Sequence, residues 1–394
     1  MRDLRLVLAT LAATIATILL TSTASALPRF SVREGAPCAT CHVDPAGGGM
    51  RTRYGRYVYA PTAIPMFTPK VAPLNVDIGD TLAFGADSRF TYLNINPPHG
   101  AETLSTFFQM QGNFYVGAQL YPGVTLYYNQ QVWGSFEAMG IWQQNLGRPD
   151  LSFYVKAGRF LPTYGLKTEN HNIYTRQDIG FGPTDKTQGA ELGIYVGPLL
   201  VQGSVLNSSV GPKQLDDTRE KAFIARAEVM PKIGKLHLLF GTSIFTNESG
   251  TTTTTAGTTV DARVQQQKWG VHWGAGIGRF AYLGEADVVK NAPFPGNVQD
   301  GRVHSYQSYQ ELDVRIVRGL ELNLNYEFRD SDLDVASGTT SRVAGGFEFY
   351  PVPYVETKLL VRRTIGSGPL GNNSPAVAAL NGLQEVILMA HLYF

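Results

Sequence analysis

The chain has 394 residues and a formal net charge of +1, and only 16% of its residues are charged. Nucleic-acid-binding proteins carry a surplus of basic residues, so this balance argues against a nucleic-acid partner. After the first 26 residues no run of about 18 apolar residues occurs, which excludes spanning helices but leaves spanning strands open.

Residues 1–26 have the pattern of a secretory signal peptide. Arg2 and Arg5 give a basic start, residues 6–20 form an apolar run, and residues 24–26 read Ala-Ser-Ala, an A-x-A cleavage site. A membrane anchor is the alternative, but the run is shorter than the roughly 20 residues that a spanning helix needs. We therefore predict export and removal of this segment.

Residues 38–42 read Cys-Ala-Thr-Cys-His and contain the only two cysteines of the chain. C-x-x-C-H is the attachment pattern of a c-type haem. In this pattern Cys38 and Cys41 bind the vinyl groups of the porphyrin, and His42 ligates the iron. The sequence therefore predicts one covalent haem c, with Cys38, Cys41 and His42 as its binding residues and His42 as the metal ligand.

Three other interpretations of this motif fit less well. A structural zinc site needs about four ligands, and only one cysteine pair with one adjacent histidine is present. A disulfide leaves His42 without a role, and a thioredoxin-like motif needs a βαβ context that the neighbouring sequence lacks. Export also favours haem, because bacteria attach c-type haem outside the cytoplasm.

Residues 27–73 form the predicted haem segment, which is expected to be short and irregular or partly helical. Prolines at positions 61, 65, 69 and 73 indicate that its second half is extended. The glycines at 47–49 either let the backbone approach the porphyrin closely or form a flexible loop.

The sixth ligand of the iron stays open from sequence alone. Met50 and Met66 follow the motif, and a methionine ligand raises the reduction potential, although each also has an ordinary packing explanation. His391 is a third candidate, because the alternation of the last strand points it inward. His99 and His171 are predicted in outer loops, which makes them less suitable.

From residue 74 to 394 apolar and polar residues alternate, which is the period of strands with two different faces. A soluble sandwich also alternates. Three features favour a membrane barrel instead: strands near the about 9–11 residues of a tilted spanning strand, short turns that alternate with long loops, and the terminal Phe394. We predict an all-β fold, a 16-stranded antiparallel transmembrane β-barrel preceded by the haem segment.

The sixteen strands are an even number, as in bacterial single-chain barrels. They are predicted at 81–95, 105–121, 123–133, 135–145, 151–160, 187–196, 199–207, 220–229, 235–246, 267–277, 279–290, 304–318, 320–330, 341–350, 353–364 and 383–394. Every tight turn follows an even-numbered strand, which places the short turns and both termini in the periplasm. The third-to-fourth link at Gly134 is the exception, because it has to be very short.

Two long connections carry separate predictions. Residues 161–186 either fold inward and constrict the pore or stay on the surface, and Glu169, His171 and Asp178 within them are a weaker metal-binding hypothesis. Residues 247–266 are predicted to form another long loop. The threonine run at 251–255 is of low complexity and is predicted to be its exposed, mobile tip.

The alternation also predicts a lumen of mixed charge. Its members are Arg226, Glu228, Glu285, Asp287, Glu311, Asp313, Arg315, Glu321, Glu327, Glu348, Glu356, Lys358 and Arg362. One interpretation is a wetted wall whose charges neutralise one another. The other is that some carboxylates guide a cation such as Fe²⁺, because such cations accept oxygen ligands.

Taken together, these features resemble the outer-membrane porin–cytochrome c fusion family, the Cyc2-like monohaem cytochromes that oxidise Fe(II). The residues that carry the resemblance are Pro-Arg-Phe at 28–30, the motif at 38–42, Tyr-Gly-Arg at 54–56 and the terminal Phe394. The glycine-rich run at 45–51 differs from the run that we expect in the iron oxidases, so the sequence does not assign the electron donor.

The resemblance implies an outer-membrane protein of a Gram-negative cell, surrounded by lipid, with its haem segment in the periplasm or in the barrel lumen. It implies electron transfer between an extracellular donor or acceptor such as iron and a periplasmic electron carrier, in the iron case as an Fe(II):cytochrome c oxidoreductase. The alternative is a diffusion porin with a haem-bearing plug or redox-sensing segment. A secreted soluble β-protein with one haem is a third, weaker reading.

Overall fold

The structure is a computed structural model that describes residues 28–68, 74–98, 102–132, 134–148, 150–168, 170, 172–208, 216, 219–255, 258–293, 302–335, 338–367 and 381–394. The predicted signal peptide at 1–26 and the side chains of His99, Glu169 and His171 therefore lie outside the described residues. Within the described ranges, no helix is long and apolar enough to cross a membrane.

Sixteen long strands form one closed antiparallel barrel, as predicted. They are β1 (Leu82–Asn96), β2 (Leu104–Tyr121), β3 (Val124–Gln131), β4 (Phe136–Arg148), β5 (Leu151–Phe160), β6 (Thr187–Val196), β7 (Leu199–Asn207), β8 (Lys221–Val229), β9 (Leu236–Thr255), β10 (Thr258–Ile277), β11 (Phe280–Pro293), β12 (Arg302–Val317), β13 (Leu320–Asp330), β14 (Thr339–Phe349), β15 (Val355–Ser367) and β16 (Gln384–Tyr393). Each pairs with its sequence neighbours, and β16 pairs with β1 to close the barrel. Two strands of two residues each, Asp77–Ile78 and Lys232–Ile233, extend the sheet.

The alternation in the sequence sets which side of each strand faces the lumen. In β13, Leu324 and Tyr326 are exposed on the outside, whereas Glu321, Asn325 and Glu327 are buried inside. This arrangement inverts that of a soluble protein and is the one that a transmembrane barrel requires. Of the thirteen predicted lumen charges, ten are buried and three, Glu311, Arg315 and Lys358, are half-buried.

Tight turns follow the even-numbered strands, and we call this end of the barrel the turn end and the opposite end the loop end. Several turns contain a glycine in the left-handed region, among them Gly123 (φ +81°), Gly278 (φ +57°) and Gly319 (φ +82°). The link between β3 and β4 is indeed very short, and Gly134 (φ +83°) lies in it. Strand β3, with eight residues, is the shortest of the sixteen.

The prediction of a long loop at residues 247–266 was wrong. Strands β9 and β10 continue through it, and Thr255 pairs with Thr258 across the end of the hairpin. The threonine run therefore belongs to the ladder. Low complexity was a poor guide here, because threonine is β-branched and favours strands.

Residues 28–68, which we call the plug, begin inside the barrel, end at its turn end and are partly helical. Helix α1 (Pro28–Glu34) is followed by a 3₁₀ turn (Cys38–Thr40), a π-helical turn (Gly55–Tyr59) and the short helix α2 (Ala60–Thr62). The prediction that the chain is extended at Pro61 was wrong, because proline fits the first turn of a helix, where its missing N–H is not needed.

Helix α1 packs against the inner wall formed by β9, β10 and β11. Val32 is fully buried in a cluster with Leu239 and Leu283. Strand β10 contains glycine where the helix approaches most closely, since a Cβ at Gly276 would lie 2.1 Å from the carbonyl oxygen of Val32. The barrel wall is therefore shaped to accept the plug.

Buried ion pairs hold α1 to the neighbouring part of the wall, formed by β12, β13 and β14. Arg29 Nη2 lies 2.6 Å from Glu348 Oε2, and Arg29 Nη1 lies 3.6 Å from Asp313 Oδ1. Arg33 Nη1 lies 2.5 Å from Glu321 Oε1. The charged lumen thus forms specific contacts with the plug, across more than 280 residues of sequence.

Replacement of Arg29 by alanine should destabilise the seating of the plug by about 3–5 kcal/mol, because it leaves Glu348 and Asp313 buried without this partner. Arg53→Ala is the control, since the Arg53 side chain is more than half exposed and its partner Asp77 keeps an ion pair with Arg56, so the loss should be small. Urea-dependent proteolysis of residues 28–68 measures the difference. Equal urea midpoints for the two variants would contradict the assignment.

Candidate functional site

The C-x-x-C-H sequence forms a single helical turn inside the barrel. The backbone N–H groups of Cys41 and His42 both donate to the carbonyl oxygen of Cys38, at 3.1 and 3.0 Å. Residues three and four apart in such a turn share a face. Cys38 and His42 line one lumen cavity, described below, whereas Cys41 packs on Phe30 and Tyr59.

A short hairpin follows the turn and fixes His42. His42 and Arg51 form an isolated bridge, and the N–H of Val43 donates to the carbonyl oxygen of Met50 at 3.0 Å. The glycines at 47–49 make the bend, all three with positive φ. At Gly49 a Cβ would lie 2.3 Å from the hydroxyl oxygen of Tyr127 in the wall, so this position also needs the absence of a side chain.

Gly49→Ala should loosen the hairpin far more than Gly79→Ala does. Both glycines have nearly the same left-handed φ (+64° and +61°), so backbone strain of about 1–2 kcal/mol is common to both. Only Gly49 faces a buried tyrosine, whereas nothing lies within 4 Å of a Cβ at Gly79. Urea-dependent proteolysis at the hairpin measures this, and equal sensitivity of the two variants would refute the role of the Tyr127 contact.

His42 is buried and has one ring nitrogen available. Its Nδ1 lies 3.3 Å from the carbonyl oxygen of Gly49, and no described residue forms a hydrogen bond with Nε2. Burial, with Arg51 and Lys167 nearby, lowers the pKa of His42 to about 3, so the ring is neutral. A neutral imidazole whose second nitrogen is held by a carbonyl has the form of a metal-ligating histidine.

The two cysteines are unbonded and have different surroundings. Cys38 lines the lumen cavity described below, and burial raises the pKa of its thiol to about 12. Cys41 is buried against Phe30 and Tyr59, and burial raises the pKa of its thiol to about 11. Both are protonated thiols, and only Cys38 faces the cavity directly.

A partly open cavity of about 210 Å³ lies beside the motif. Cys38, His42 and residues 47–49 line it on the plug side, and Tyr115, Tyr127 and Phe181 supply aromatic walls. The cavity also reaches Phe30, which packs on Cys41. Its aromatic lining suits a flat ring system, and a ligand there would contact both the motif and the barrel.

Residues 161–186 fold inward, which decides between the two predicted alternatives. Tyr164 Oη donates to Asp287 at 2.9 Å, the N–H of Leu166 donates to Glu285 at 2.9 Å, and Arg176 pairs with Glu285. Phe181 stacks on Tyr164, with ring centroids 4.5 Å apart. Described parts of this connection therefore narrow the lumen and form one wall of the cavity.

Asp178, part of the weaker metal-binding hypothesis, pairs with Arg329 at 3.1 Å. In the part of the chain that the structure describes, no group of three or more His, Cys, Asp or Glu side chains is arranged to hold a metal ion. The other two residues of that hypothesis, Glu169 and His171, lie outside the described residues.

The three candidates for a sixth ligand lie in different places. Met50 is buried against Tyr115 and Tyr127 in the wall, and Met66 lies at the turn end, where its N–H donates to the carbonyl oxygen of Tyr350 at 2.8 Å. Only His391 lines the cavity. Its ring nitrogens already lie 2.7 Å from Glu356 and 2.9 Å from Asp87, so ligation would displace a carboxylate.

Sequence analysis missed several charged residues beside the motif. Asp44, just after His42, lies 3.1 Å from Lys156 and 3.3 Å from Lys167. These lysines hold the pKa of Asp44 at about 2, although burial opposes them. Lys186, at the start of β6, also lines the cavity. The two-residue alternation of β5 could have placed Lys156 in the lumen. It gives no such indication for Lys167 and Lys186, because both lie in the connection at residues 161–186.

Comparison with known proteins shows the fold only. No protein-family model matches the chain, and no curated protein matches its sequence. OprB of Pseudomonas putida has a TM-score of 0.60 at 11% identity, over 80% of this chain and 94% of that chain. OmpT of Vibrio cholerae has a TM-score of 0.55 at 11% identity, over 81% and 100%. An anion-selective porin from Comamonas acidovorans has a TM-score of 0.50 at 10% identity, over 80% and 99%.

The chain has the fold of a porin-type outer-membrane barrel. These comparisons do not extend to the plug's motif or to a cofactor.

Proposed function

We propose that this chain is an outer-membrane monohaem c-type cytochrome of the porin–cytochrome fusion type, which transfers single electrons between the two sides of the outer membrane. The observation that carries the proposal is a C-x-x-C-H turn inside a closed barrel, beside an aromatic-lined cavity. A covalently attached redox centre at that position would shorten the path that an electron takes across the insulating bilayer.

Outer-membrane lipid is the proposed surrounding of the barrel. Support comes from the apolar outer face, the porin-type fold and the predicted export signal. The haem segment is proposed to lie within the lumen, because the plug contacts the inner faces of strands on several sides.

The residues present fit a haem. Cys38 and Cys41 would hold it covalently and His42 would ligate the iron through Nε2, while the Gly49 carbonyl keeps the ring oriented. When bound, the haem supplies a centre that gains or loses one electron. Asp44, anchored by Lys156, fixes the hairpin that carries these groups, and burial in the lumen limits access of water, which tunes the potential.

The partners follow from the resemblance. An extracellular donor such as Fe²⁺ would lose one electron and become Fe³⁺, and a periplasmic electron carrier would accept that electron. Electron export to an extracellular acceptor is the reverse of this direction. In the iron case the protein would act as an Fe(II):cytochrome c oxidoreductase.

A diffusion porin is less well supported than electron transfer. The plug and residues 161–186 both occupy the lumen, and buried ion pairs hold each of them to the wall. Free passage of solutes needs an open water-filled channel, as in porins of 16–18 strands. The charged lumen is used instead to bind these two segments.

Absorbance of the purified protein before and after anaerobic addition of Fe²⁺ tests the proposal. We expect haem bands that shift to the reduced form with dithionite and, if iron is the donor, with Fe²⁺ as well. A haem that stays oxidised, although its measured potential lies above that of the Fe²⁺ supplied, would eliminate iron as the donor. Absence of haem bands would refute the function itself.

A further inference from the structure

Lys186 is a buried cation without a matched anion. Its side chain is only 2% exposed, and Nζ forms no hydrogen bond with any described residue. The nearest carboxylate oxygen, Glu137 Oε2, is 4.0 Å away, and this carboxylate already accepts from Asn129 at 2.8 Å and from the N–H of Leu161 at 3.1 Å. A buried unpaired charge is costly, so its presence calls for a ligand.

Lys186 faces the same cavity as Cys38 and His42. It directly precedes β6 and therefore lies at the loop end, whereas Cys38 shares a small pocket with Tyr195 and Glu228 near the turn end of the strands. Phe181 and Pro183 line the cavity beside Lys186 and give it an apolar border. The cavity thus has a thiol toward one end and the ammonium group of Lys186 toward the other.

This polarity matches one chemical feature of a haem. The vinyl groups that bind cysteines and the two propionate carboxylates lie on opposite edges of the porphyrin. A macrocycle attached through Cys38 would therefore direct its carboxylates away from the turn end. Charge-assisted hydrogen bonds from an ammonium group to a carboxylate are among the stronger polar contacts in proteins.

We propose that Lys186 binds a propionate carboxylate of the porphyrin and so orients the macrocycle with its acidic edge toward the loop end of the barrel. Lys167 lies in the same cavity and reinforces the positive charge there, although it also pairs with Asp44 at 3.3 Å. This inference rests on the proposed function and assigns Lys186 as a positioning residue.

Burial supports the assignment from a second direction. It lowers the pKa of Lys186; Glu137 opposes this shift, and Lys167 and Arg159 add to it. An anion that occupies the cavity would favour the charged form. We therefore expect the midpoint potential of the haem to fall in Lys186→Gln, because loss of a nearby positive charge favours the oxidised state.

The direct test uses the full chain with Cys38→Ala and Cys41→Ala, so that porphyrin binding is reversible. Binding of protoporphyrin IX and of its dimethyl ester, followed by quenching of protein fluorescence, isolates recognition of the carboxylates. Lys186→Gln should weaken binding of the diacid roughly tenfold, the loss of one hydrogen bond to a charged group, and leave that of the diester unchanged. Lys186→Arg should retain most of the affinity.

Lys358→Gln in the same background is the matched control, since Lys358 is a lumen cation that pairs with Glu348 outside this cavity. It should bind both porphyrins like the parent. Equal losses for diacid and diester in Lys186→Gln would overturn the proposal. Haem content of the unmodified protein tests the proposed function separately.

Discussion

Replacement of Cys38 and Cys41 together by alanine is expected to yield a folded barrel that carries no covalently bound haem. The thioether bonds need both thiols, and these are the only cysteines in the chain, so no other residue can replace them. The barrel should persist, because strand pairing from β1 to β16 involves neither residue. In-gel haem staining after denaturation measures attachment, and heat-modifiable migration measures folding.

Thr40→Ala is the control for this experiment, because it changes the same turn and leaves both thiols. It should retain stainable haem. The carbonyl oxygen of Thr40, which accepts a hydrogen bond from the hydroxyl of Thr52, belongs to the backbone and is kept in this variant. Haem that remains covalently attached in the double cysteine variant would contradict the assignment of this motif.

Deletion of residues 28–68 is expected to turn a nearly closed barrel into a conducting pore. The plug fills the turn-end half of the lumen and holds Glu348, Asp313 and Glu321 in buried pairs. Without it these carboxylates line open water, as do the walls of porins of 16–18 strands. Single-channel recordings in planar bilayers should show small currents for the intact chain and large ones for the deletion.

Residues 161–186 still narrow the lumen in that deletion, so its current should stay below that of an unobstructed barrel. Arg53→Ala is the control, because it alters an exposed pair of the plug and should keep the intact chain's small current. Large open-pore currents from the intact protein would instead support a diffusion porin.

Much of the barrel could be predicted from sequence because one physical rule repeats along it. The two-residue period of a strand determines which side chains face the lumen and which face outward, so the positions of Glu321 and Leu324 could be predicted. Glycine or proline marks each tight turn. The prediction failed where residue composition was used in place of the strand period. The threonines at 251–255 form the end of β9 because the ladder to β10 continues through them.

The candidate site could be predicted only in part. The motif at 38–42 is local, so its spacing alone gave the three haem-binding candidates. Its surroundings depend on contacts between distant segments: Arg29 meets Glu348, and Lys156 meets Asp44. Lys186 becomes notable only because residues 161–186 fold inward, and no local pattern distinguishes that from a surface loop.

The central claim is that a barrel of two-faced strands encloses one covalently fixed porphyrin. Intact mass spectrometry of the purified mature protein, combined with its pyridine haemochrome spectrum, tests this most directly. We expect a mass equal to the polypeptide plus one haem, with the spectrum of a haem bound through two thioethers. A mass equal to the polypeptide alone, from cells that make other c-type cytochromes, would contradict it.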